Sequence, residues 1–429
     1  YKEGIMMKKI MTIVLSGIMM LSFMIMPIHA SSSYQAQLYA SVTDAGEVVD
    51  RIVIDFHSLK SLKGITKNSF TINAKSIVDF GVDKGNVYYD TNRTIEKVKK
   101  MGKKVILYLN QGEGSTLTWL TEQRNYPGKL IYTITLNHDL YSIKKEDVRF
   151  VIKKKIINEE TSKFRSVKGH YGLNYQFYNA NSRRLIVWFH GNGEGDIKGQ
   201  THNNVAQMLA NRGTVGWATK EAQRTFKGAN VMAFQVPDTW YNADSENLLE
   251  KAYKEIIFVA KKYRINKIMV SGASAGGYMS TRMIIRYPRL FDTGIIICPA
   301  IVNQVSNEDI LTMKKAKTSI WLVQGETDAS VDPEQSSKRM WSLLSEGQRV
   351  HQRTDRFGYT TYETANDRLK LTLYKTYDGK IKVYEDYNYD HRQEAVYYND
   401  HWTWIYVMRN HPRSVKGIRI FNWASRYMK

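Results

Sequence analysis

The sequence predicts an α/β fold, a parallel sheet covered on both faces by helices, preceded by a small all-β sandwich. Two observations carry this expectation. Up to about residue 155 the apolar residues recur with period two, and after Tyr171 short apolar runs alternate with amphipathic segments. Length agrees, because 429 residues exceed the size at which one hydrophobic core usually keeps growing.

In the first part Ile52, Ile54 and Phe56 alternate with Val53 and Asp55, and Phe70, Ile72 and Ala74 alternate with Thr71 and Asn73. Residues 105–109 and 130–136 repeat the pattern, with Gly, Asn and Asp clusters between the runs. That is the signature of a small sandwich. Residues 94–101 read as one helical interruption. In the second part, residues 185–189, 231–234, 267–270, 294–298 and 319–323 read as buried parallel strands. Between them, residues 245–263 place Leu248, Leu249, Ala252, Ile256, Val259 and Ala260 on one helical face, and residues 333–344 form a second helix with Pro333 in its first turn. The expected units are 31–160 and 161–429, with an insertion near 348–398 in a tyrosine-dense stretch.

The amino terminus has its own texture. Lys8 and Lys9 precede an apolar run from Ile10 to Met26, then Pro27, Ala30 and three serines, the pattern of a secretory signal peptide. Thr12, Ser16, Gly17 and Ser22 dilute the run, which argues against a retained membrane anchor. Residues 1–30 are therefore expected to be a removed leader with a few residues upstream of a start at Met6 or Met7, and the remainder to be secreted with no stable membrane span. A single cysteine, Cys298, excludes an intramolecular disulfide; lying in the run 294–298, it reads as a buried structural residue. The formal charge of +21 favours contact with anionic polymers or a cell wall. The lysines are scattered and accompany no nucleic-acid-binding motif, so no specific nucleic-acid partner is expected.

The chemistry concentrates at Gly272-Ala273-Ser274-Ala275-Gly276. A bare G-x-S-x-G occurs by chance in about one chain of this length in ten, so its context decides. Here it follows a strand and opens a segment with helical spacing at Met279, Met283 and Ile284. A serine on a sharp strand-to-helix turn needs small neighbours, and its Oγ projects above the sheet as a nucleophile. Such a hydroxyl requires a base and donors for the oxyanion. Residues 185–189 run into His190-Gly191-Asn192-Gly193-Glu194-Gly195, a glycine-rich loop placed to offer the N–H of Asn192, with the N–H of Ala275 as the second donor. His190 reads as a structural residue of that turn.

Downstream, residues 319–323 lead to Gly325-Glu326-Thr327-Asp328, where Asp328 is best placed to orient a histidine, ahead of Asp332 and Glu326. His351, His391, His401 and His411 follow it. His401 is preferred as the base, because it heads the tryptophan-rich run 402–406 that can pack and fix the imidazole, with His391 next.

These residues also resemble a known family. The segments around His190, Gln235-Val236-Pro237, 264–268, 272–278, 287–291 and 325–328 are similar to α/β-hydrolase esterases that are secreted and related to prolyl oligopeptidase. That resemblance implies an immunoglobulin-like amino-terminal domain, whose opening strands 50–74 resemble, and a final helix at 420–423. It implies a serine carboxylesterase working through an acyl-enzyme, with Ser274, Asp328 and His401 as triad and no metal or organic cofactor. The sequence departs from the family at Asn192, where a small apolar residue is usual, and in the long interval from Asp328 to His401. Substrates would be small or polymer-attached esters. A prolyl oligopeptidase-like peptidase is the competing reading, disfavoured because no propeller repeat precedes the hydrolase part. A third is a carbohydrate-binding protein with a vestigial hydrolase fold.

Overall fold

Residues 185–189 read Leu-Ile-Val-Trp-Phe, apolar at every position, as a strand covered on both faces must be. In the computed structural model, which describes residues 32–57, 62–141, 143–200 and 204–429, they belong to the strand Arg184–Phe189 near the middle of a ten-stranded sheet. Leu185, Val187 and Phe189 enter one hydrophobic cluster, while Ile186 and Trp188 enter another on the opposite face. The leader expected at residues 1–30 lies outside the described residues. Among the described residues no helix is long and apolar enough to cross a membrane.

The sheet order is Phe164–Val167, Tyr175–Tyr178, Asn230–Phe234, Arg184–Phe189, Lys267–Ala273, Thr293–Ile297, Ser319–Gly325, Leu369–Tyr374, Tyr359–Thr364, Val350–Asp355. From Asn230–Phe234 through Leu369–Tyr374 neighbouring strands are parallel; pairs toward either edge are antiparallel. The helices Leu248–Lys262 and Ala275–Arg286 cover one face, the first through Leu248, Leu249, Ala252, Ile256 and Val259. The helix Ile420–Tyr427 covers the other through Ile420, Phe421, Trp423 and Ala424.

Before residue 160 the strands form smaller sheets. One follows the order Val148–Ile152, Ser32–Thr43, Gly46–Asp55, Lys104–Leu109, Ile95–Met101; the other is Val87–Arg93, Phe70–Ile77, Lys129–Leu136. Both contribute to one cluster, with Ile52, Ile54 and Leu107 from the first and Ile72, Ala74 and Ile134 from the second. A short hairpin, Leu117–Trp119 with Asn125–Pro127, stands apart from them.

Two expectations are corrected. Residues 94–101 are not helical: Ile95–Met101 is an edge strand paired only with Lys104–Leu109. The cause is the two-residue turn between Met101 and Lys104, where Gly102 takes φ +59°, and such turns hold strands in antiparallel register. Nor are residues 348–398 one insertion. Their first half supplies three strands of the central sheet, including Leu369–Tyr374 beside Ser319–Gly325. Only the hairpin Lys380–Glu385 with Glu394–Asn399 stands outside it. That hairpin reaches back to the first sheets, where Gln111 N–H donates to Tyr387 O at 3.0 Å and the rings of Tyr389 and Tyr108 lie 5.2 Å apart.

Trp423 is fully buried, meets Trp321 edge-on at 5.3 Å and donates Nε1–H to Asp367 O at 3.0 Å. Trp423→Ala should therefore cost about 3–5 kcal/mol, read as a lower urea midpoint. Val82→Ala, on a side chain left 78% exposed, should change the unfolding free energy by less than about 0.5 kcal/mol.

Candidate active site

The turn at Ser274 joins the strand Lys267–Ala273 to the helix Ala275–Arg286 within one residue, at φ +57° and ψ −120°. No L-residue adopts this region without strain, and the surroundings hold it there. Ser274 N–H donates to Ile297 O at 3.0 Å, and Ser274 O accepts from Tyr278 N–H and Ala300 N–H, each at 3.0 Å. The flanking glycines are required by close approach. A Cβ on Gly272 would lie 2.3 Å from Gly276 O, and one on Gly276 would lie 2.0 Å from Phe189 O. Both obstacles are backbone, so neither can step aside.

Asp328 is buried after the strand Ser319–Gly325. Its Oδ1 accepts the N–H groups of Ser330 and Val331 at 3.1 and 3.0 Å, and its Oδ2 accepts Gln324 Nε2–H at 2.9 Å. The carboxylate faces His401 Nδ1, with oxygens at 2.9 and 2.8 Å. This bond fixes the tautomer that leaves Nε2 as the acceptor. Asp400, which sequence reasoning passed over, braces the loop that carries Asp328: its carboxylate accepts Thr327 Oγ1–H at 3.1 Å and Ala329 N–H at 3.3 Å. His401 itself is positioned by Asn399, whose Oδ1 accepts the His401 N–H at 2.9 Å.

The other histidines lie elsewhere. His351 and His391 are exposed, and His391 faces Asp386 at 3.6 Å. His411 meets Tyr374 Oη at 2.8 Å, and burial foremost pushes its pKa down to about 4. His190 is buried in its turn between Gly191 O at 2.6 Å and Val236 N–H at 3.3 Å, and burial likewise holds it neutral with a pKa of about 4. Asp332 is exposed and caps the turn Pro333–Gln335, and Glu326 is exposed.

Ser274 and His401 line one cavity of about 430 Å³, together with Gly191, Asn192 and Glu194. A Cβ on Gly191 would sit 3.9 Å from Ser274 Cβ, so the loop that carries Asn192 lies beside the serine. Asn192 opens the one-turn helix Asn192–Glu194, and Ala275 is the first residue of its helix. First-turn N–H groups have no partner within a helix and are open to an external acceptor. Part of the cavity wall comes from the hairpin near residue 120, which no pattern in the hydrolase part could signal: the Trp119 ring lies 3.1 Å from where a Gly193 Cβ would be, and Asn125 Nδ2–H donates to Gly193 O at 3.3 Å.

Cys298 is buried, as expected, and lies beside the Asp328–His401 pair. Its sulfur, an Asp328 carboxylate oxygen and a His401 ring nitrogen lie within 4.8 Å of one another. Among the described residues this is the group able to hold a cation, although a metal there would compete with the Asp328–His401 bond. Burial disfavours the imidazolium of His401, but Cys298 and the Asp328 carboxylate favour it by more, and its pKa is pushed up to about 10.

No protein-family model matches the sequence, and no curated protein does. The structure is similar to that of a thermostable esterase, with a TM-score of 0.63 and 22% identity over 87% of this chain and 96% of that one. A predicted CIB-like hydrolase from Thermoplasma acidophilum (19% identity, TM-score 0.32, half of this chain and 86% of that one) and a carboxylesterase from Mesorhizobium loti (13%, 0.33, half and 90%) align less well. The fold assignment rests on the first. The chain has an α/β-hydrolase fold with a mixed sheet.

Gly276→Ala would drive a methyl group into the Phe189 carbonyl. Soluble folded protein should be lost, or the unfolding free energy from urea titration should fall by more than about 3 kcal/mol, because a contact of this kind between two backbones has no cheap relaxation.

Proposed function

We propose that the chain is a serine esterase that hydrolyses carboxylic esters through an acyl-enzyme on Ser274. One observation carries this reading: a serine on a strained strand-to-helix turn shares a cavity with a histidine whose far nitrogen is held by a buried carboxylate. In the reaction Ser274 Oγ attacks the ester carbonyl and passes its proton to His401 Nε2. The oxyanion is met by the N–H groups of Asn192 and Ala275. The tetrahedral intermediate collapses, and the departing alkoxide takes the proton from the imidazolium. Water then attacks the acyl group, giving its proton to Nε2, and the acid leaves as Ser274 is reprotonated. Asp328 stabilises the imidazolium at both stages.

We further propose that residues 1–30 act as a secretory leader, that the enzyme works outside the cell, and that residues 31–160 form an immunoglobulin-like domain. The leader pattern, the strand pattern and the family resemblance support these assignments.

His401 acts as a base only when neutral, so a raised pKa moves the acid limb of the pH profile to higher pH. The limb in kcat/KM for p-nitrophenyl acetate should lie above the 6.5 of a free imidazole, with activity lost as pH falls through it. Cys298→Ala should shift the limb to lower pH, and an unmoved limb would assign the effect to Asp328 alone. Ser274→Ala and His401→Ala should each lower turnover by several orders of magnitude with circular dichroism unchanged. His391→Ala should retain most activity, and the reverse pattern for the two histidines would overturn the assignment of the base.

A further inference from the structure

The cavity beside Ser274 has an unusual wall. Its large apolar side chains are indoles, those of Trp119, Trp402 and Trp404, and among the described residues no Leu, Ile, Val, Met or Phe lines it. An acyl chain or an alkyl alcohol would bury its CH₂ groups best against long aliphatic side chains, and the lining offers only the methyl groups of Ala45 and Ala210. Flat indole faces instead suit a rigid ring that presents C–H groups, whose positive edge is drawn to the negative π-face.

The indoles are set around the reacting centre. Trp402 and Trp404 stack at 5.7 Å and 29°, and Trp404 meets the His401 ring edge-on at 5.7 Å. Trp119 lies across the glycine loop and is 49% exposed, so its face is open to a ligand.

Between the rings stand groups that donate and accept hydrogen bonds. The carboxamides of Asn125 and Asn211 each place Nδ2 3.5 Å from Glu194 Oε1, so the buried carboxyl of Glu194 orients both. Two further polar atoms of lining residues, Asn192 Oδ1 and Trp404 Nε1, are buried without a hydrogen-bond partner. These few polar groups, set among apolar indole faces, suit a ligand with both a C–H face and hydroxyl groups, which can satisfy them.

We propose that the alcohol half of the substrate is a sugar, so that the enzyme removes short acyl groups from the hydroxyls of a pyranose ring. The ring packs on the indoles and its free hydroxyls bind Asn125, Asn211 and Glu194. A cavity of about 430 Å³ lies within the range that encloses a small molecule, roughly 300–1,000 Å³, and holds one monosaccharide ester. This rests on the esterase reading of the same site. The chemistry is plain ester hydrolysis: the sugar leaves as its alcohol, carrying the proton from His401, and the acyl group is released as the carboxylic acid.

The test compares three acetates on the full chain: p-nitrophenyl acetate, cyclohexyl acetate and a mixture of monoacetates of methyl glucopyranoside. The sugar and the cyclohexyl ester share ring size and differ in hydroxyls. The expected result is a kcat/KM for the sugar ester at least tenfold above that for cyclohexyl acetate. Trp119→Ala and Asn125→Ala should each cut that ratio at least fivefold, whereas Trp119→Phe, which keeps an aromatic face, should retain most of it. A ratio near one, or a ratio unmoved by both alanine variants, overturns the sugar assignment while turnover of p-nitrophenyl acetate upholds the esterase. If none of the three acetates is hydrolysed, the esterase reading itself fails.

Discussion

Between the strand Lys267–Ala273 and the helix Ala275–Arg286 the backbone reverses at a single residue, and two glycines let the helix approach the sheet closely enough for that to happen. Gly276 lies against the carbonyl of Phe189 on the neighbouring strand, and Gly272 lies against the carbonyl of Gly276. Side chains at either position would push the helix outward and relax the turn. The strain at Ser274 is thus held by packing on both sides, and the rest of the site is arranged around the point where this serine stands. The loop Asn192–Glu194 extends from the strand to which Gly276 is pressed, and Asp328 follows the strand Ser319–Gly325, two places beyond Lys267–Ala273 in the same sheet.

The buried Asp–His pair beside that point is satisfied by neighbours in its own loops. Asp328 takes three hydrogen bonds from its own segment in addition to the one to His401. These bonds offset the cost of taking the carboxyl group out of water, which would be large for one left without partners. Asp400 and Asn399 do comparable work for the loop of His401, joining it to the loop of Asp328. The Asp–His pair is rigid because two segments far apart in sequence are tied at several points.

The amino-terminal strands take part in the cavity as well as flanking it. Arg124 donates to the carbonyls of Asp196 at 3.3 Å and Asp238 at 3.2 Å, which anchors the hairpin that bears Trp119 and Asn125 beside the glycine loop. Arg409, bonded through Nε to Asp44 at 2.9 Å, joins the same two parts of the chain near the carboxyl end. The indole-walled character of the cavity arises at this junction.

The parallel strands, the glycine turn and the order of serine, acid and histidine were legible in the sequence, because each is set by local rules: burial on both faces of a strand, the need for small residues in a tight turn, and fixed chain order. Residues 95–101 misled because lysines with spaced apolar residues fit a helix, whereas pairing through the Gly102 turn to Lys104–Leu109 decides for a strand. The stretch 348–398 misled because Leu369–Tyr374 joins a sheet whose neighbour lies some fifty residues upstream, and period alone does not reveal a partner. Only the tertiary structure could set Cys298 beside His401, distinguish buried His401 from exposed His391, and bring Trp119 and Asn125 to Ser274. Those are contacts between segments tens to hundreds of residues apart, fixed by how the sheets pack and not by any local pattern of residues.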